Sequence, residues 1–148
     1  MKTILALIIF ATTAFAIPAI KITNKELGDG TWSSKETNAE KRRATERFYR
    51  NGSKAPYQTI LYQLDDRMQF ESGIYYNSKN QVFQKCTYKL DGADRIIQEV
   101  VYDAQGKLRG TNNYIYGTRG GQSTLIGVDR YDGNGNLIPK AKPTGRKR

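Results

Sequence analysis

A tyrosine recurs along this chain at Tyr49, Tyr62, Tyr76, Tyr102, Tyr116 and Tyr131, with Tyr88 or Leu90 filling the gap, at spacings clustering around about 14 residues, long enough for one strand and one turn. Two units match almost letter for letter: Tyr102-Asp103-Ala104-Gln105-Gly106-Lys107-Leu108 and Tyr131-Asp132-Gly133-Asn134-Gly135-Asn136-Leu137. Looser copies keep the offset from Tyr62 to Met68, Tyr76 to Val82 and Leu90 to Ile96.

The offset has a physical cause. A three-residue hairpin loop, a type I turn followed by a left-handed residue in a bulge, favours Asp or Asn at its start and Gly or Asn at its end. Asp103 with Gly106, Asp132 with Gly135 and Asn77 with Asn80 meet this demand, and Asp91 with Asp94 and Gln63 with Asp66 meet it more weakly. Such a loop sets Asp103 opposite Lys107 and Tyr102 opposite Leu108, so each unit is a hairpin corner sealed by a Tyr-aliphatic pair.

Between corners the side chains alternate with the period of half-buried strands. Met68, Phe70, Ser72, Ile74 and Tyr76 fall on one face against Arg67, Gln69, Glu71 and Gly73, with Tyr75 alone interrupting the polar face. Val82, Gln84, Cys86, Tyr88 and Leu90 continue the corner-pair face. That face is polar or small at mid-strand (Ser72, Gln84, Gln98, Gly110, Asn112, Gly127, Asp129), which fits either a polar interior or a thin sheet wet on both sides. The expected fold is all-β: an antiparallel meander of seven strands near 42–50, 54–63, 67–76, 81–90, 95–102, 107–116 and 123–131, with an eighth around 31–35. The sheet is open or curled, or closes as an up-and-down barrel. Residues 35–47 read equally as a strand or as a short charged helix capped by Asn38.

Composition removes most familiar chemistry. With no His and one Cys, Ser-His-Asp and Cys-His nucleophiles, His-based proton transfer and His-rich zinc sites are excluded, so no enzyme, cofactor or metal site is expected. Lys2, the apolar run Ile4 to Phe10 and Ala14-Phe15-Ala16 form an export signal over residues 1–16. Cleavage after Ala16 leaves an N-terminal segment at 17–41, a β-repeat domain at 42–138 and a basic disordered tail at 139–148. Removing Lys2 lowers the formal charge by one from +10, and an exported basic protein, periplasmic or secreted, attracts anionic partners. Cys86 has no intramolecular disulfide partner and reads as a buried thiol.

The unit Tyr-Asp-x-x-Gly-x-Leu resembles the YD-repeat family, secreted or surface-exposed β-structures, over about residues 48 to 138. Tyr49-Arg50-Asn51-Gly52 resembles the related MORN-like repeats. Both resemblances imply a scaffold and transfer no catalytic residue. Gly30-Thr31-Trp32 resembles the first-strand motif of lipocalin-like barrels, which implies a ligand pocket and an arginine over the Trp, for which Arg130 is the candidate.

Gly117 to Ser123 interrupts the repeat with a longer, mobile loop in which Arg119, Gly120 and Gly121 are candidates for holding an anion. The acidic pairs Asp65-Asp66, Asp91/Asp94 and Asp129/Asp132 sit at expected turns, where Asp serves the backbone. Tyrosine rings also stack on sugars and bases, but a Tyr fixed in each unit reads first as a corner seal: Tyr62, Tyr76, Tyr102 and Tyr131, with Asp103, Gly106, Leu108, Asp132, Gly135 and Leu137, are structural repeat positions. The expected function is an exported binding or structural module of the cell envelope or surface. Its partner is an anionic polymer, a membrane surface or a protein rather than nucleic acid, and oligomers form by sheet-edge pairing. A small-ligand or protease-inhibitor-like barrel is the alternative.

Overall fold

Five hairpins are closed by the same turn, and an Asp or Asn side chain closes each one. In the computed structural model, which describes residues 20–139, Oδ1 of Asp65, Asn77, Asp91, Asp103 and Asp132 accepts the backbone N–H groups two and four residues later at 2.8–3.1 Å. The residue three positions on is left-handed in every case: Met68, Asn80, Asp94, Gly106 and Gly135, with φ of 63°, 59°, 61°, 88° and 82°. The backbone ring closes as well, with the Asp103 N–H donating to the Lys107 carbonyl at 2.9 Å and the Gly106 N–H to the Asp103 carbonyl at 3.1 Å. Each turn is therefore fixed by hydrogen bonds within its own five residues.

These turns join an antiparallel meander in chain order: β1 (Ile20–Glu26), β2 (Thr31–Asn38), β3 (Arg43–Arg50), β4 (Gln58–Leu64), β5 (Phe70–Asn77), β6 (Val82–Leu90), β7 (Ile96–Asp103), β8 (Leu108–Arg119), β9 (Gln122–Asp132) and β10 (Leu137–Ile138). The all-β open sheet is as expected, with ten strands rather than seven or eight. The export signal and almost all of the basic tail lie outside the described residues. The sheet is not closed, since β1 pairs only with β2 and β10 only with β9. The sheet also runs across residue 42, so β1 and β2 belong to it. Residues 35–47 form no helix: β2 ends at Asn38, β3 starts at Arg43, and the Asn38 amide oxygen accepts the Lys41 N–H at 2.9 Å to cap the turn between them.

Four expected corner pairs are present in the register: Tyr76 with Val82, Leu90 with Ile96, Tyr102 with Leu108 and Tyr131 with Leu137. The fifth is displaced. The turn begins at Asp65 rather than Gln63, because Asp65 supplies the acceptor that Gln63 does not, so Leu64 faces Phe70 and Met68 occupies the left-handed position. Tyr62 instead faces Gly73 in the core.

One further residue is inserted on each of five strands, Glu71, Phe83, Ile97, Arg109 and Ile126, where the register shifts. Each such bulge reverses the in-out alternation and strengthens the twist. It explains why Phe83 and Ile126 lie 44% and 66% exposed. The reversal overturns the expected face assignment. On β5, Phe70, Gly73 and Tyr75 share the face of Tyr62 and Ile60, while Ser72, Ile74 and Tyr76 share the other. Among the small and polar mid-strand positions, Gln84, Gly110 and Asn112 fall on the first face and Ser72, Gln98, Gly127 and Asp129 on the second.

The core lies on the first face, around Ala44, Ile60, Tyr62 and Leu64, with Phe48, Phe70, Tyr75 and Tyr88 packed against them. Tyr62 and Phe70 have ring centroids 4.5 Å apart. Gly73 makes room for this layer, since a Cβ there would meet the Tyr88 hydroxyl at 2.8 Å. Cys86 is buried on the same face, as expected. Turns at one end of the sheet are tied together across intervening strands by Arg42 with Asp66, Gln69 with Asp94 and Arg95 with Ser123.

Gly110 tests the register. A Cβ at this position would stand 2.2 Å from the backbone oxygen of Tyr131, whereas one at Gly92 meets nothing within 4 Å. Gly110→Ala is expected to lower stability in urea by about 1–3 kcal/mol and Gly92→Ala by less than about 0.5 kcal/mol. Equal effects would contradict the β8 to β9 pairing.

Candidate functional site

The bulged register gives the two faces of the sheet different chemistry. On the core face, carboxylates are surrounded by hydroxyl and amide donors. Glu46 accepts Ser33 Oγ at 2.9 Å and the Tyr62 hydroxyl at 3.3 Å. Glu99 accepts Asn112 Nδ2 at 2.8 Å, the Tyr114 hydroxyl at 3.0 Å and the Tyr75 hydroxyl at 3.5 Å. Tyr75 in turn lies 2.8 Å from the Tyr88 hydroxyl, and Tyr116 donates to the Ile96 carbonyl at 3.0 Å. No buried side-chain N or O among the described residues lacks a partner. Burial first, then the Glu99 charge, pushes the Tyr114 phenol up to about 12. Burial also raises Tyr62, Tyr75 and Tyr88 well above the ordinary phenol range and the Cys86 thiol up to about 12. At neutral pH these groups are protonated donors that complete the core, with no activated nucleophile among them.

The opposite, open face carries a second set of cations, Lys35 and Arg130 lying on the core face opposite Glu46 and Asn112. Its paired positions from β3 to β8 include Arg43, Arg47, Lys85 and Lys89 and no carboxylate, the same face carrying Glu36 on β2 and Asp129 on β9. Arg47 has an outside partner, Glu36 of β2 at 3.7 Å. Between the cations lie Thr45, Thr59, Gln63, Ser72, Thr87, Gln98, Thr111 and Asn113, an array of neutral donors and acceptors around Leu61 and Ile74. Tyr76, Tyr102 and Tyr131 stand on this face at one end of the sheet, and Lys85 is the cross-strand neighbour of Tyr102.

The candidates divide between these environments. Tyr62 belongs to the core. Tyr102, Leu108, Tyr131 and Leu137 seal open-face corners, and Asp103, Gly106, Asp132 and Gly135 build the turns beneath them. Asp91 is held down to about 2, chiefly by its bond to Arg95 at 2.7 Å, while Asp103 and Asp132 are lowered chiefly by the backbone N–H groups of Lys107 and Asn136. These carboxylates serve the turns. Arg119, Gly120 and Gly121 do not form a long loop: β8 runs to Arg119, β9 starts at Gln122, and Gly120 and Gly121 make a tight turn with φ of 58° and 79°. Two adjacent glycines satisfy the positive φ that such a hairpin demands. All three residues are exposed.

Trp32 stacks on Tyr49, with centroids 4.2 Å apart, and Arg130 is far off on β9. An open cleft of about 640 Å³ beside it is bordered by Lys25, Gly30, Thr31 and Asn51. It lies at the sheet edge rather than inside a barrel. Sequence reasoning missed Glu46, Arg43 and Arg47 as a group because residues 35–47 read equally as strand or helix, and Glu99, Lys85 and Lys89 because the bulges change which residues face together. The signal was the apparent misfit of Tyr75.

No protein-family profile matches the chain, and no curated protein matches it. Among solved structures, the chain resembles a TarM mutant of S. aureus, crystallised with fondaparinux, alpha-GlcNAc-glycerol and UDP, at 15% identity and a TM-score of 0.33. The match covers 79% of this chain and 21% of that one. At that TM-score it defines neither fold nor function.

The Glu99 network has a direct spectroscopic test. In a phenolate absorbance titration, Tyr114 is expected to ionise near pH 12, and Glu99→Gln to move that step to lower pH by removing the repelling charge. A raised phenol pKa stabilises the fold below its unfolded value near 10, and that contribution is lost as pH climbs toward 12. A step assigned by Tyr114→Phe that is unmoved in Glu99→Gln would contradict the arrangement.

Proposed function

We propose that this is an exported, non-enzymatic binding module of the cell envelope or surface, periplasmic or secreted, whose open face engages an anionic polymer. The supporting observation is the excess of cations on the open face: Arg43, Arg47, Lys85 and Lys89 project from it with no carboxylate on the paired positions of β3 to β8, Glu36 and Asp129 lying on the flanking strands β2 and β9, while Glu46 and Glu99 are tied up on the core face. An excess of positive charge over a surface raises the local concentration of an anionic ligand and steers it onto that surface. The surrounding Thr, Ser, Gln and Asn side chains supply orientation-specific hydrogen bonds once the polymer arrives. The YD-repeat and MORN-like resemblance of the hairpins accords with a scaffold role.

Chemistry at the core face is disfavoured by the same geometry, because its hydroxyls and carboxylates are mutually satisfied. An anionic protein surface is a second partner of the same charge class. Membranes and free sheet edges are weaker candidates: β1 is exposed along its whole length, yet its edge carries Lys21 and Lys25, which disfavour self-pairing.

The test is binding of the mature chain to polygalacturonate and to neutral dextran across a salt series. Binding to polygalacturonate alone, weakening as salt rises, is expected. The variant carrying Arg43→Gln, Arg47→Gln, Lys85→Gln and Lys89→Gln is expected to lose at least tenfold in affinity and to show a shallower salt dependence, with circular dichroism unchanged. Equal affinity in the variant, or binding indifferent to charge, would overturn the proposal.

A further inference from the structure

Three tyrosines on the open face are chemically unlike every tyrosine on the core face. The core-face hydroxyls of Tyr62, Tyr75, Tyr88, Tyr114 and Tyr116 are all hydrogen-bonded. Tyr76, Tyr102 and Tyr131 make no side-chain hydrogen bond, ring stack or cation contact among the described residues. They are half-buried against Val82, Leu108 and Leu137. They also recur on alternate strands, β5, β7 and β9, on one face and at one end, so successive rings stand on the order of 10 Å apart across the sheet.

Corner sealing does not require these rings. At the opposite end of the sheet the corner of Leu90 with Ile96 is sealed without any ring, in a turn built by the same Asp hydrogen bonds. An aliphatic residue thus suffices at this position, and the phenol at Tyr76, Tyr102 and Tyr131 is left over from the folding requirement. A phenol ring offers an apolar plane with a polar tip, the complement of a sugar ring, which presents C–H groups on its faces and hydroxyls at its rim.

Resting on the proposed anionic-polymer reading, we infer that Tyr76, Tyr102 and Tyr131 form a ladder of stacking platforms for an extended acidic polysaccharide laid across the strands, with Lys85 placed to meet its carboxylate or sulfate groups. The ring interval accommodates about two sugar units per step on the inter-strand spacing. Between the rings lie Val82, Lys85, Leu108 and Thr111, and this single cation favours a sparsely charged sugar chain over a nucleic acid, whose one charge per residue calls for a denser set of cations.

The experiment replaces all three rings at once with Tyr76→Leu, Tyr102→Leu and Tyr131→Leu, the residue the fold itself uses at equivalent corners, and measures binding to polygalacturonate, dextran sulfate and single-stranded DNA. The inference expects unchanged circular dichroism and melting temperature and at least a tenfold loss of affinity for an acidic polysaccharide. It also expects quenching or shifting of tyrosine fluorescence on binding in the native chain that is absent in the variant. Native-like affinity in the folded variant would overturn the ladder while leaving the charge-based proposal standing. Absence of polysaccharide binding by the native chain would overturn both. Ring-dependent binding of single-stranded DNA without ring-dependent polysaccharide binding would overturn the assignment of ligand. If the triple variant melts early, Tyr102→Phe with Tyr131→Phe isolates the hydroxyls, and polysaccharide affinity unchanged there and in each single Leu variant counts against the ladder.

Discussion

The structure depends on one short-range interaction: an Asp or Asn side chain that accepts two backbone N–H groups of the turn it begins. It needs only five consecutive residues, forms without distant contacts, and brings the flanking strands together in a defined register. Repeated along the chain, it yields a meander of neighbouring strands, which keeps every strand pairing local in sequence. A single-layer sheet has little core to stabilise it, so the local closure of each hairpin matters more here than in a two-layer sandwich.

The inserted residue beyond each corner then decides what the sheet presents. Because a strand has a period of two, one extra residue exchanges the faces of everything beyond it. Five such exchanges, at Glu71, Phe83, Ile97, Arg109 and Ile126, sort the side chains so that the hydrogen-bonded tyrosines and Glu99 collect on one face while Lys85, Lys89 and the corner tyrosines Tyr76, Tyr102 and Tyr131 stand on the other. The bulges also increase twist, which lets a sheet without a second layer bury Ile60, Leu64 and Cys86 to 4%, 3% and 2% exposure. Fold and surface chemistry thus have a common origin.

Much of this was legible in the residues. The turns at Asn77, Asp91, Asp103 and Asp132 follow from side-chain chemistry at fixed offsets, and with them come the strands and their order. The turn at Asp65 was misplaced by two residues because Tyr62 imitates the corner tyrosine while serving the core. The bulges were not legible, since an extra residue leaves no local composition signal and is fixed by how the neighbouring strands pair. Strand β1 was also missed: its seven residues are exposed and mix apolar and charged side chains, so neither alternation nor burial marks them. The face carrying the candidate site was therefore readable only as a set of residues, and their grouping required the register.

The central claim, that bulged hairpins divide the tyrosines between a sealed face and an open one, is tested most directly by nitrating the folded protein and locating the modified rings by mass spectrometry. The account predicts nitration of Tyr76, Tyr102 and Tyr131 with Tyr62, Tyr75 and Tyr88 protected until the protein unfolds. Modification of Tyr75 as readily as Tyr76 in the folded state would contradict it, because these adjacent residues would then not face opposite sides of the sheet.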